Sequence, residues 1–197
     1  RHRGPSFSKI KTFNLDEYVG LDKRHNASFY RFTKEFLFEK TDISPNYSHS
    51  LNGQASDFAI ECRDYEDQIQ KAGGIDLQIL GIGQNGHIGF NEPGSPKSSR
   101  TRVIELSKET RSKIPKELFT NQNIPEKGVT VGVGTILEAK EIILIAVGEA
   151  KSLAIENCFS GVESATWPAS YLQSHHNVHI FCNLQAAKGL KNLPVPR

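Results

Sequence analysis

The sequence predicts an α/β fold in three layers: an open, mostly parallel sheet with helices on both faces. Three observations carry this. Five short apolar runs, Ile10 to Asn14, Leu77 to Ile82, Val129 to Val133, Ile142 to Val147 and Val178 to Cys182, have the character of strands buried on both sides. Stretches with helical periodicity lie between them. The alternation of the two calls for parallel strands joined by right-handed crossovers.

The first run leads directly into Leu15-Asp16-Glu17-Tyr18-Val19-Gly20-Leu21. Ala27 to Glu39 carries Phe29, Phe32, Phe36 and Leu37 at helical spacing, and Asp57 to Ala72 carries Phe58, Ile60, Cys62, Tyr65 and Ile69. After the second strand comes an irregular stretch, Gly86 to Arg102, broken by Pro93, Gly94 and Pro96. Ser107 to Lys127 is polar and holds Pro115 and Pro125. Long loops in compact domains often act as lids, so 105–128 is a candidate active-site lid. Glu149 to Cys158 reads as the helix after the fourth strand. With no internal repeat and no low-complexity linker, the 197 residues are expected to form a single catalytic domain.

Composition excludes several classes. The chain is 37% hydrophobic with eleven Phe, which is globular and not disordered. A net charge of +2, with acids and bases interspersed and no basic stripe, argues against nucleic acid as a partner. No apolar run approaches the roughly 20 residues that span a bilayer, so no membrane association is expected. The opening RHRGPSFSKI has no apolar core, so no secretory signal is expected. Cys62, Cys158 and Cys182 are odd in number and widely spaced, which suits free thiols and a cytoplasmic location. There is no Met, so the chain is expected to lack its natural beginning.

Gly81-Ile82-Gly83-Gln84-Asn85-Gly86 has the glycine spacing of a dinucleotide-binding turn. That motif needs a helix to open at its third glycine, and Gly89, Pro93, Gly94 and Pro96 would break one. The glycines are better suited to shaping a loop at the carboxyl end of a strand, where open α/β sheets bind ligands. This loop presents Asn85, His87, Asn91 and Glu92. A carboxylate beside an imidazole can fix its tautomer and raise its basicity, as acid–base chemistry requires. A lone loop histidine can equally be structural. Asp16 and Glu17, at the end of the first strand, would share that rim if the strands are parallel. The alternative is that one of them caps the turn that follows.

Phe13-Asn14-Leu15-Asp16-Glu17-Tyr18-Val19-Gly20-Leu21, Gly-His-Ile-Gly-Phe-Asn-Glu-Pro-Gly (86–94), Ser-Arg-Thr-Arg (99–102) and Val-Gly-Val-Gly-Thr (131–135) together resemble the glucosamine-6-phosphate deaminase (glucosamine-6-phosphate isomerase) family, from about Lys9 to His179. The resemblance implies a Rossmann-like sugar-phosphate isomerase/deaminase fold. It implies aldose–ketose isomerisation with deamination in amino-sugar catabolism: glucosamine 6-phosphate and water become fructose 6-phosphate and ammonia, with no metal and no cofactor. Asp16 matches the base that moves the C2 proton to C1. Glu17 points to the other side of an extended chain and is given no role. His87 matches the ring-opening residue and Glu92 its carboxylate partner, while Asn85 stands where some relatives have aspartate. Lys151 matches a phosphate-binding lysine. Lys116 lies nearest the family's lid arginine, with Arg111 as another candidate. Family members begin earlier, with a strand and a phosphate-wrapping Gly/Ser/Thr loop, so this chain is expected to lack both.

Allosteric relatives use a serine and an arginine matched by Ser95 and Arg102, a lysine whose place is taken by Ile104, and a tyrosine in a carboxyl-terminal extension that does not follow Lys191 to Arg197. Hyperbolic kinetics are therefore expected, with a homo-oligomer left open. Two other readings compete: a 6-phosphogluconolactonase-like sugar-phosphate hydrolase, and a non-catalytic sugar-phosphate-binding module. Asp16-Glu17 and the full 86–94 motif favour the deaminase. Retention of Asp16, His87 and Glu92 disfavours the module. Glucosamine and galactosamine epimers are not separated.

Overall fold

The computed structural model describes residues 4–119 and 123–190. Residues 1–3, 120–122 and 191–197 lie outside it, and with them part of the expected lid and the readings of the two chain ends. The elements in order are β1 (Thr12–Phe13), β2 (Asp16–Tyr18), α1 (Phe29–Phe36), β3 (Ser48–His49), α2 (Phe58–Lys71), β4 (Leu77–Gly81), β5 (Arg102–Glu105), α3 (Lys108–Ser112), β6 (Lys127–Thr130), α4 (Val133–Leu137), β7 (Glu141–Ala146), α5 (Ser152–Phe159) and β8 (Val178–Cys182), with short 3-10 turns between some of them. This is an α/β fold. The described residues divide into two compact units, one of residues 4–72, 102–119 and 123–130, the other of residues 73–101 and 131–190.

In the first unit β1 and β3 pair in parallel, and β2, β6 and β5 form a separate antiparallel sheet. α2 matches its sequence reading because both ends are specified. Asp57 caps it by accepting from the N–H groups of Ala59 (2.8 Å) and Ile60 (3.0 Å), and Cys62, Tyr65 and Ile69 form its buried stripe. The Tyr65 hydroxyl donates to the Asn14 carbonyl at 2.8 Å, and its ring meets Phe13 edge-on. α1 is shorter than the expected 27–39. Ser28 caps its start by accepting from the Arg31 N–H, and the backbone leaves helical geometry at Leu37.

Two expectations need correction. The strand read at 129–133 is Lys127–Thr130, it pairs antiparallel on both sides, and Val133 already belongs to α4. Glycine explains the break: a Cβ on Gly132 would sit 2.1 Å from the Ser99 carbonyl oxygen, so the chain passes Ser99 as bare backbone. There, Val133 donates to Ser99 Oγ at 3.0 Å and Gly134 to the Ser99 carbonyl at 2.8 Å. Asp16 and Glu17, read as the end of a strand, instead begin β2.

In the second unit β4, β7 and β8 form a parallel sheet in that order, Ile79 opposite Ile143 and Ile142 opposite Val178. Leu80, Ile142, Leu144 and Ala146 are buried, as are Ala154, Ile155 and Cys158 of α5 and Ala169 and Leu172 of the 3-10 segment Pro168–Ser174 that packs on it. On the opposite face Leu77, Ile79, Ile145 and Phe181 are exposed, so burial of this sheet among the described residues is one-sided where two-sided burial was expected. All three cysteines are free thiols, two buried and Cys182 half-buried.

Candidate active site

β4 ends in the glycine loop, where Gly83 and Gly86 have separate tasks. A Cβ on Gly83 would fall 2.3 Å from both Cε1 and Nδ1 of His87, so the imidazole lies against a bare α-carbon. The Gly83 N–H donates to the His87 carbonyl at 2.8 Å, closing the loop on itself. Gly86 has φ +79, and a Cβ there would lie 2.7 Å from the Trp167 ring. No helix forms between β4 and β5 among the described residues, so the loop lacks the dipole end that a dinucleotide pyrophosphate requires.

Asn85, His87 and Glu92 come together. Glu92 is buried, and its Oε2 accepts from Asn85 Nδ2 at 2.9 Å. The same Oε2 lies 3.8 Å from His87 Nδ1, an ion-pair separation if the ring is protonated but longer than a hydrogen bond. Asn85 Oδ1 accepts from the His87 backbone N–H at 3.3 Å, so the amide links ring-bearing backbone and carboxylate. Asn91 is fully buried, donating from Nδ2 to the carbonyls of Ile88 and Val131, both at 2.9 Å. It anchors the loop and does not face chemistry. Lys151 ends the 3-10 turn Glu149–Lys151 that precedes α5, and its Nζ donates to the Ile82 carbonyl at 2.7 Å, at the root of the same loop.

In the first unit Asp16 pairs across β6 with Thr130, which pairs in turn with Arg102, so the three share one row and one face. Asp16 is half-buried to a solvent probe, yet its carboxyl is pushed up to about 7, first by loss of solvation and second by the negative charge of Glu17. Glu17, on the opposite face, is buried. It accepts from Ser28 Oγ (2.6 Å) and from the N–H groups of Tyr18 (2.9 Å), Tyr30 (3.2 Å) and Phe29 (3.3 Å). Glu17 thus caps the start of α1 and not the turn directly after it, where the sequence reading had placed a capping acid. Lys116 is exposed on the 3-10 turn Lys116–Phe119 and, with Arg111, Phe119 and Asn123 to Glu126, lines an open cavity of about 850 Å³. Arg111 lies 3.1 Å from Glu126. Among the described residues no cluster of His, Cys, Asp or Glu could hold a metal ion, and no helix is long and apolar enough to cross a membrane.

Sequence reasoning missed three supports: Gly83 as the seat of the His87 ring, Asn91 as the loop anchor, and Glu17 as a helix cap. Only the glycine left a readable signal, its fixed spacing to His87. The first unit supplies a carboxyl poised near neutrality, suited to removing a weakly acidic proton, and the second, by itself, an imidazole beside a buried carboxylate, suited to moving one between oxygens.

Comparison with known proteins places the chain among relatives. Residues 2–181 match the family described as glucosamine-6-phosphate isomerases/6-phosphogluconolactonase. The chain is 46% identical over 187 residues to a glucosamine-6-phosphate deaminase of Shouchella clausii, covering 95% of this chain and 76% of that protein. A Giardia intestinalis glucosamine-6-phosphate deaminase 1 is 42% identical, covering 98% and 73%. Among solved structures, a monomeric glucosamine-6-phosphate deaminase superposes with a TM-score of 0.89 at 38% identity, covering 94% of this chain and 77% of that one. A Trypanosoma brucei 6-phosphogluconolactonase, at 19% identity and a TM-score of 0.70 over 91% and 73%, shares the fold.

Proposed function

The chain belongs to the glucosamine-6-phosphate isomerase and 6-phosphogluconolactonase family, and from that premise we infer that it is a glucosamine-6-phosphate deaminase. The observation that carries this choice over the lactonase is Asp16, a carboxyl held near neutral pKa on β2. Lactone hydrolysis needs no base at a sugar carbon, whereas deamination requires proton removal from C2.

His87 moves the anomeric proton to the ring oxygen, opening the sugar and exposing the C1 aldehyde. The carbonyl acidifies the C2 proton, which Asp16 takes and returns to C1 through an enol intermediate. C2 is left as an imine, which water hydrolyses to ketone and ammonia, giving fructose 6-phosphate. Glu92 and Asn85 hold the imidazole and its charge in place, and Lys151 takes the phosphate, with Lys116 as the lid cation. The three free thiols suit a reducing cytoplasm.

The test is a two-substrate assay. Ammonia and fructose 6-phosphate should form from glucosamine 6-phosphate, with solvent deuterium entering C1. Hydrolysis of 6-phosphogluconolactone without ammonia release from the amino sugar would replace this reading with the lactonase.

A further inference from the structure

Asp16 needs a fixed place on its strand, and the anchor lies one residue away on the opposite face. α1 has no acidic residue in its own first turn. The anion that its N-terminal N–H groups call for comes from β2 instead, as the Glu17 carboxylate bonded to Ser28 Oγ and to the N–H groups of Phe29 and Tyr30. The same carboxylate accepts from the Tyr18 N–H, so strand backbone and helix terminus meet on one side chain. The site is closely built: a Cβ on Gly53 would lie 3.3 Å from Glu17 Cγ and 2.2 Å from the Tyr18 carbonyl oxygen.

We propose that Glu17 is the positioning residue for Asp16, clamping β2 to the first turn of α1 so that the Asp16 carboxyl is presented from an immobile backbone. The proposal deepens the deaminase reading and rests on it for its kinetic consequences. Glu17 also shapes the charge around Asp16. The other groups near Asp16 within this unit are Tyr18 beside it, Tyr65 from α2 and Arg102 from β5, with Thr130 of β6 contributing no charge. Arg102 stands one strand beyond Thr130, roughly 10 Å from Asp16 by strand spacing. Glu17 is therefore the near charge, and it works against ionisation of Asp16.

Two variants separate position from charge. Glu17→Gln keeps the length and removes the charge, but turns an N–H₂ toward donors. Glu17→Asp keeps the charge and is a methylene too short to reach Ser28 and Tyr30. Both should speed amide hydrogen exchange at Phe29 to Arg31. Both should lower kcat by up to roughly 10²-fold with KM within about twofold, since displacement of a reacting group acts on turnover. Only Glu17→Gln should move the Asp16 carboxyl titration, followed by ¹³C NMR, to lower pH, and with it the acid limb of the rate profile. Unchanged exchange and unchanged Asp16 titration in Glu17→Gln would overturn the proposal, whether or not the protein proves to be a deaminase. Should Glu17→Gln fail to fold, a Glu17→Asp enzyme with loosened α1 amides and normal kcat would overturn it equally. Failure of the unaltered protein to release ammonia would defeat the functional reading alone, because exchange and titration are read without substrate.

Discussion

Asn85 Nδ2 donates to Glu92 Oε2 at 2.9 Å, and this is the carboxylate oxygen that faces His87 Nδ1. An amide here orients the buried carboxylate without adding charge. Asn85→Asp would set two carboxylates within hydrogen-bond distance of one another and beside the imidazole. The added negative charge favours the imidazolium, so the part of the pH–rate profile that reports ring opening should move to higher pH. The clash of two acids should also lower the melting temperature at neutral pH. An unchanged profile in this variant would remove Asn85 from the tuning of His87.

Asp16 gives opposite predictions for activity and stability. Its folded pKa of about 7 lies above the roughly 3.9 of an unfolded aspartate, so folding disfavours the charged form. Below about pH 4 the group is protonated in both states and costs nothing. The cost grows between about pH 4 and 7 and is complete above 7. Asp16→Asn should therefore melt higher than the unaltered protein at pH 8 and at nearly the same temperature at pH 4, while losing at least roughly 10²–10⁴-fold in turnover. A variant destabilised at pH 8 would show that the carboxylate is compensated in the fold.

Gly83 is where backbone sterics and chemistry coincide. Gly83→Ala would drive a methyl into the His87 ring, 2.3 Å from two of its atoms. The ring must shift, because the loop is closed by the bond between Gly83 and the His87 carbonyl. Overpacking of this kind costs roughly 1–3 kcal/mol, and a displaced imidazole should cost turnover on the closed-ring sugar far more than on an open-chain analogue. Equal loss on both would place His87 elsewhere in the reaction.

What the sequence made legible follows from where the information lies. The strands β4, β7 and β8 were readable because short runs rich in Val, Ile and Leu between polar or glycine-containing stretches have few other uses, and α2 because cap and stripe agree over fourteen residues. β2 and β5 were not, since three- and four-residue strands carry too little pattern, and their antiparallel pairing through Thr130 is a tertiary fact. In the same way Asp16 and His87 stood out as residue types in motifs, while Glu17 could be placed on the far face of the strand but its capping of α1 could not. Its partners lie eleven to thirteen residues along the chain, and no local rule brings them there.

Regulation turns on Ile104. It lies on β5 opposite Gly128, half-buried, at the position where the family resemblance implies a lysine in allosteric relatives. An isoleucine offers no donor, and a lost charged phosphate contact is comparable to the 1–3 kcal/mol that allosteric coupling usually amounts to. Titration with glucosamine 6-phosphate should be hyperbolic and unmoved by its N-acetylated analogue. A sigmoidal curve that the analogue makes hyperbolic would show that another cation fills the role.

In the proposed reaction Lys151 would separate binding of the phosphate from the chemistry at C1 and C2. Gly148, at φ +95, turns the chain from β7 into the 3-10 segment that carries the lysine, and the bond from Nζ to the Ile82 carbonyl fixes the ammonium at the root of the catalytic loop. Lys151→Met removes the charge while keeping most of the stem, so the loop packing should survive. Charge-assisted hydrogen bonds contribute about 1.5–3 kcal/mol, and KM for glucosamine 6-phosphate should rise by roughly 10- to 100-fold with a smaller change in kcat. Inorganic phosphate should weaken as an inhibitor by a similar factor, since this contact is one it shares with the substrate. A variant that lost turnover and kept its KM would mean that Lys151 holds the catalytic loop in place through Ile82 and that the phosphate is bound elsewhere.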